Sequence, residues 1–169
     1  AAAAAGAALV FLHADTAPPP GFDGLVREAL DRPGCQLAHF RFGVDRTACA
    51  GRPPLGLGLL EAATNVRARL LGLPYGDQVF CVTRRAFRAL GGFPDFPLME
   101  DYEFARRAAR AGGGGRAVVE MDAAALCAPR RWEKNGVLKN SILNFCFVAA
   151  YNFGCSPQQL FRWYYGKDP

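Results

Sequence analysis

Apolar runs and polar breaks alternate along the chain at two periods. Ala8 to Leu12 is a short unbroken apolar run of the kind that forms a buried parallel strand. Pro18-Pro19-Pro20-Gly21 cannot continue it and marks a loop. Apolar residues at 22, 25, 26, 29 and 30 then predict a helix from Phe22 to Leu30. Leu37 to Val44 reads as a second strand, and Asp45 to Pro54 as a polar loop. A helix is expected over Leu55–Leu71, ended by Gly72-Leu73-Pro74-Tyr75-Gly76. Val79–Val82 reads as a strand, with Thr83 as N-cap of a helix from Arg84 to Leu90 that Gly91-Gly92 stops. Glu100–Ala111 is a further helix, terminated by Gly112 to Gly115, and Arg116–Met121 a further strand. Val137–Tyr151 and Pro157–Tyr165 are helical and rich in aromatics. Ala1–Ala5 reads as the end of a helix, stopped by Gly6. Strand and helix alternate, so the expected class is α/β with a mostly parallel sheet. Two parts are expected: residues 1–132, and a helical aromatic tail, residues 133–169, packed on them.

Composition narrows this reading. The chain has 169 residues, 51% hydrophobic and 21% charged, enough for one packed core. The net charge of +5 suits an anionic ligand such as a diphosphate, or an acidic surface. Lys and Arg are scattered without a long basic run interleaved with aromatics, so no nucleic-acid partner is expected. None of the six cysteines forms a C-x-x-C pair, and His13 and His39 add no zinc spacing. Free thiols in a reducing intracellular compartment, the cytoplasm or an organelle interior, are the expectation. No run of about 18 uninterrupted apolar residues exists, so no spanning helix is expected. A membrane-surface enzyme using the tail helix is the weaker alternative, since Val137–Tyr151 carries few basic residues beyond Lys139, and membrane contact is not expected.

Four polar clusters adjoin the apolar elements. Asp15 follows the first strand at its carboxyl end, the edge where α/β sheets bind ligands, and a carboxylate there can hold Mg²⁺ or Mn²⁺. The bland alternative is a turn capped by the Asp15 side chain. His13 is expected at the strand end, half-buried. Gly76, Asp77 and Gln78 offer a close backbone approach, a carboxylate and an amide, groups that take up sugar hydroxyls; an Asp-capped turn is the alternative. Glu100 and Asp101 open a helix, where acidic residues also favour the dipole. As chemistry, Asp101 is expected to be a general base, with Glu100 a positioning residue. Arg130 and Arg131 can fork onto phosphate oxygens, and Trp132 can stack on a ring. A surface basic patch beside a core Trp is the alternative, and Lys134 and Lys139 extend the positive potential.

The series as a whole resembles the family 2 glycosyltransferases of the GT-A fold, nearest the arsenosugar-biosynthesis-type branch. The likeness rests on Leu9-Val10-Phe11-Leu12-His13-Ala14-Asp15-Thr16, Pro19-Pro20-Gly21-Phe22 and the run Arg67 to Gln78. It continues through Leu90-Gly91-Gly92-Phe93-Pro94, Pro97-Leu98-Met99-Glu100-Asp101, Arg130-Arg131-Trp132 and Ser156-Pro157. The resemblance implies a Rossmann-like sheet flanked by helices, with Asp15 on the metal and the nucleotide-sugar diphosphate. His13 stands where the family's motif has its first acidic residue. It further implies Gly76-Asp77-Gln78 on the acceptor side, Glu100-Asp101 as the base motif, and Arg131-Trp132 against diphosphate and acceptor. The expected activity is metal-assisted, inverting transfer of a sugar from a nucleotide-sugar donor to an acceptor hydroxyl. Family members begin with further strands that hold the nucleoside; this chain starts after them, so the domain is expected to be incomplete at its amino terminus. A protein partner or a missing segment is then expected over the sheet edge. The alternative is a catalytically inactive structural subunit of a larger assembly, with Phe145, Phe147, Tyr151, Phe153, Phe161, Trp163, Tyr164 and Tyr165 on its partner surface.

Overall fold

The central strand is β3, Leu37–Val44, in which every residue but Arg41 is buried. Such a strand needs cover on both faces, and helices supply it. The computed structural model describes residues 4–112 and 117–169. Its strands are β1 (Ala8–Phe11), β2 (Thr16–Ala17), β3, β4 (Phe80–Thr83) and β5 (Val118–Cys127), in the order β1-β4-β3-β5-β2. Its helices are α1 (Phe22–Leu30), α2 (Leu57–Leu71), α3 (Arg84–Ala89), α4 (Glu100–Ala111), α5 (Arg130–Asn135), α6 (Val137–Asn152) and α7 (Pro157–Tyr165). On one face α1 lays Val26 and Ala29 against Ala38, Phe40, Val119 and Met121. On the other, α3 and α4 bring Ala86, Phe104, Ala105 and Ala108 onto Leu37, Phe80 and Val82. The result is a helix–sheet–helix stack.

The expected mostly parallel sheet is corrected to a mixed one. Only β3 and β5 pair in parallel, whereas β1–β4, β3–β4 and β2–β5 are antiparallel. The hydrophobic pattern carries no sign of strand direction, and β4 reverses. Nor is β1 a buried strand: it lies at the sheet edge with only Leu9 buried, and Val10 and Leu12 face out. The strand expected over residues 116–121 runs instead from Val118 to Cys127; Arg116 lies outside the described residues. Ala4 and Ala5 are not helical, and residues 1–3 of the expected first helix lie outside the described residues. Residues 113–115 of the expected terminator do as well. Thr83 caps α3 as expected, its hydroxyl accepting from the Ala86 N–H at 3.0 Å.

Past His39 the β3–β4 ladder stops, and α2 takes over the free edge of β3. Asn65 accepts from the Phe42 N–H at 2.7 Å and donates to the Phe42 carbonyl at 3.0 Å. Glu61 accepts from the Val44 N–H at 2.8 Å. Two side chains thus stand in for a strand, and buried backbone groups stay paired. The tail closes the structure over α4: Leu160, fully buried, packs with Met99 and Tyr102. The Tyr151 hydroxyl donates to Glu103 at 3.0 Å. Among the described residues no helix is long and apolar enough to cross a membrane.

Candidate functional site

Because β1, β3 and β5 run one way and β4 the other, three carboxyl ends and the amino end of β4 share one edge of the sheet. A cavity of about 270 Å³ opens there, lined by His13, Asp15, Asp77, Glu100, Asp101, Arg131 and Trp132 among others. Seven positions spread from 13 to 132 therefore meet. At about 30 Å³ per liquid water, the space is of the order of one sugar ring.

Asp15 sits in a turn closed by the backbone, with the Thr16 N–H donating to the His13 carbonyl at 3.1 Å. The Ala128 N–H donates to the Asp15 carbonyl at 2.8 Å, tying that turn to the end of β5. The turn therefore needs no cap from the Asp15 side chain, which is exposed. His13 is exposed rather than half-buried.

Gly76, Asp77 and Gln78 form a single 3-10 turn leading into β4. Gly76 is pinned: a Cβ there would lie 2.6 Å from His13 Nε2 and 3.2 Å from Asp101 Oδ2. Its N–H donates to Asp101 Oδ2 at 2.8 Å, while the Tyr102 N–H donates to Asp101 Oδ1 at 2.6 Å. Both oxygens of Asp101 are thus oriented by backbone donors. Asp77 differs: it keeps some surface, yet Oδ1 is sealed from solvent and has no hydrogen-bond partner among the described residues. Burial, and then the neighbouring Asp101 charge, push its carboxyl up to about 6, against the pull of Arg67, His13 and Arg131. Burial likewise raises Glu100, with Asp101 adding to it. Two carboxyls near a third hold their protons more tightly than free ones do, as proton-transfer sites require.

Gln78 and Gly76 do not line the cavity. The Gln78 side chain is fully buried, with Nε2 at 3.3 Å from both the Phe40 carbonyl and His39 Nδ1, and Oε1 accepting from the Tyr75 N–H at 3.2 Å. It holds the turn to β3 instead of facing a ligand. Burial keeps the His39 ring below its ordinary pKa, so it stays neutral beside Gln78. Arg130, at the start of α5, is exposed and outside the lining, whereas Arg131 faces it. Trp132 is largely buried, its ring 5.7 Å from Phe42, and closes the floor.

The walls include aromatics that the acidic motifs alone do not point to: Tyr75, Tyr102, Phe147, Tyr164 and Tyr165. Tyr75 and Tyr102 immediately flank the Gly76 and Asp101 motifs, which was a usable signal. The tail aromatics gave none for a cavity, since their position depends on how α6 and α7 fold back. The Arg67 guanidinium lies 3.5 Å over the Tyr75 ring, a cation–π contact that braces this wall. Val79 (φ 55°) and Met99 (φ 71°) are the non-glycine residues with positive φ among those described. Each borders an acidic motif, and strain of this kind, of order 1–3 kcal/mol, concentrates at sites that need fixed geometry.

Among the described residues no three His, Cys, Asp or Glu side chains gather as a cation-holding group. The exposed Asp15 carboxylate still fits Mg²⁺ or Mn²⁺ in the manner of sites that supply one carboxylate and take the other ligands from phosphates and water. No protein-family model, curated protein or solved structure matches the chain.

Proposed function

We propose that the chain is the carboxyl-terminal part of a GT-A-type glycosyltransferase domain, moving a sugar from a nucleotide-sugar donor to an acceptor hydroxyl with inversion. The observation that carries this reading is the meeting of Asp15, Asp77, Glu100, Asp101 and Arg131 around one small cavity at the carboxyl ends of β1, β3 and β5. That edge is where α/β sheets bind phosphorylated ligands.

In this reading the sugar occupies the cavity and the acceptor hydroxyl points at Asp101, aligned by the Gly76 and Tyr102 N–H groups. As the acceptor oxygen bonds to the anomeric carbon, its proton passes to Asp101. The bond from that carbon to the donor phosphate breaks, and the electron pair leaves with the nucleoside diphosphate. Arg131 binds the leaving diphosphate through its fork of donors. Asp15 would hold Mg²⁺ or Mn²⁺, whose chemistry there is to neutralise charge on the diphosphate. Glu100 and Asp77 take sugar hydroxyls, and Trp132 presents a flat apolar floor.

The test pairs activity with binding. Release of nucleoside diphosphate is followed with a panel of nucleotide sugars and Mn²⁺, and donor binding by calorimetry. Asp101→Asn is expected to slow transfer by about 100- to 10,000-fold while donor affinity stays unchanged. Equal activity in that variant would remove Asp101 from the role of base.

A second reading, a catalytically silent subunit, is favoured by the large apolar side chains exposed on α2 and α6. No release with any donor, together with retained folding, would make it the better one.

A further inference from the structure

The cavity runs against the charge of the chain. The protein carries a net +5, yet four of its 15 acidic residues, Asp15, Asp77, Glu100 and Asp101, line this one space. Arg131 is the one arginine or lysine among the lining residues. The transfer proposed above uses Asp101 as base and Asp15 toward a metal ion, which leaves Glu100 and Asp77 as charge beyond what those steps use. A sugar hydroxyl is served as well by an uncharged amide, but Gln78, the amide of the same turn, faces inward on His39 and Phe40. Among the described residues no three of the carboxyls gather at one point. Their field is spread over the walls, which suits an extended cation better than a bare ion.

The wall that α6 and α7 supply is aromatic. The Phe147 and Tyr164 rings are 5.6 Å apart at 78°, and those of Tyr164 and Tyr165 are 4.7 Å apart at 73°. Rings set nearly perpendicular in succession make adjoining walls, unlike the single flat floor that Trp132 offers a sugar ring. Tyr164 and Tyr165 are 45% and 52% exposed, so ring surface is open to a ligand. Such rings attract an organic ammonium group through their quadrupoles and give a neutral group of the same shape no such gain. Two other rings of the cavity already hold cations in this way: the Arg67 guanidinium lies 3.5 Å over Tyr75, and that of Arg106 lies 6.0 Å from the centre of Tyr102. Asp77 adds an independent demand for positive charge. Its Oδ1 is sealed and has no hydrogen-bond partner among the described residues, and burial, then the Asp101 charge, raise its carboxyl. A cation in the cavity supplies the counter-charge that this carboxyl lacks.

We propose that the acceptor is an organic cation, an alkylammonium compound that carries a hydroxyl, held by the rings of Phe147, Tyr164 and Tyr165 and by the charge of Asp77 and Glu100. Its role as acceptor rests on the transferase reading above; its charge rests on the cavity alone. The hydroxyl is then left for Asp101, and the ammonium group offsets the two carboxyls that the transfer does not use.

The test is calorimetric titration of the 169-residue chain with choline and with 3,3-dimethylbutan-1-ol, its neutral isostere, and with ethanolamine as a primary ammonium. Each titration is repeated with Mg²⁺ and inorganic pyrophosphate standing in for the donor's diphosphate. At least one of the two cations is expected to bind about tenfold or more tighter than the neutral alcohol. Glu100→Gln and Asp77→Asn should each weaken the cation about fivefold and leave the neutral alcohol unchanged. Tyr164→Leu should weaken choline by about threefold to tenfold. Circular dichroism checks that the variants keep the parent fold, and Leu59→Ser, on the exposed face of α2, is the control that should bind like the parent. Equal affinity for the cations and the neutral alcohol would overturn the proposal, as would no binding of either cation under both conditions. Selective cation binding without release of nucleoside diphosphate from any donor would sink the transferase reading and keep the cation site. Transfer to neutral alcohols with no preference for the cations would do the reverse.

Discussion

Gly76 shows how a single hydrogen atom in place of a methyl group holds a site together. Gly76→Ala would push against the exposed His13 ring and the Asp101 carboxylate. Since the His13 ring is free to move, the expected loss of stability is about 1 kcal/mol or less, whereas the sugar transfer proposed above should fall at least about tenfold; thermal melting and product release separate the two effects. Asp77 makes a prediction of the opposite kind. Its proton is held more tightly in the folded protein than in the unfolded chain, with the carboxyl raised from 3.8 to about 6. Stability therefore falls as pH rises from about 4 to about 6 and stays at the lower level above that. Asp77→Asn should flatten this slope and stabilise the protein at pH 7 by up to about 2 kcal/mol, the solvent left around the residue reducing the full shift, as urea titrations at several pH values would reveal. That Asp15, Asp77, Glu100, Asp101 and Arg131 would meet around one cavity was legible because each is polar at the end of an apolar element. Gln78 was not legible as an internal brace, since its neighbours in sequence look alike whether the side chain turns in or out.

At the scale of elements, periodicity located most helices well but misread strands in two ways. Leu9-Val10-Phe11-Leu12 is apolar throughout, so nothing in it tells an edge strand from a buried one. The segment 122–127, opened by Asp122 and rich in alanine, has little strand propensity of its own; it extends β5 because β3 offers a ladder up to Cys127. The pairing skips between Phe40 and Arg41, and Asp122, beside the skip, meets Arg41 at 3.1 Å. Nor does any pattern announce that α2 will finish the edge of β3. Asn65→Ala would leave the Phe42 N–H and carbonyl without those partners in a half-buried place. A loss of about 2–3 kcal/mol is expected, measured by urea denaturation, while Asn65→Asp should keep the bond to the N–H and lose only the other.

The whole molecule depends on the tail. Leu160 is fully buried between α7 and α4, and Leu160→Ala should cost about 2–5 kcal/mol. Its sharper signature is functional: loosening α7 frees Tyr164 and Tyr165, so ligand affinity should drop even at temperatures where the sheet remains folded. Calorimetry below the melting transition checks this. Composition and alternation sufficed for the class, α/β with helices on both faces of a sheet. The mixed direction of its strands and the return of the tail over α4 are long-range outcomes, decided by which surfaces meet and not by local spacing.

The cavity takes one side from His13 and another from Tyr165, which means that the whole stretch between them must leave the ribosome before the pocket exists. A nascent chain that has emerged only as far as β5 has its carboxylates with Tyr75 and Tyr102, but not the side of the wall that Phe147, Tyr164 and Tyr165 supply. Any ligand-dependent gain in stability waits until α6 and α7 have folded back over the sheet.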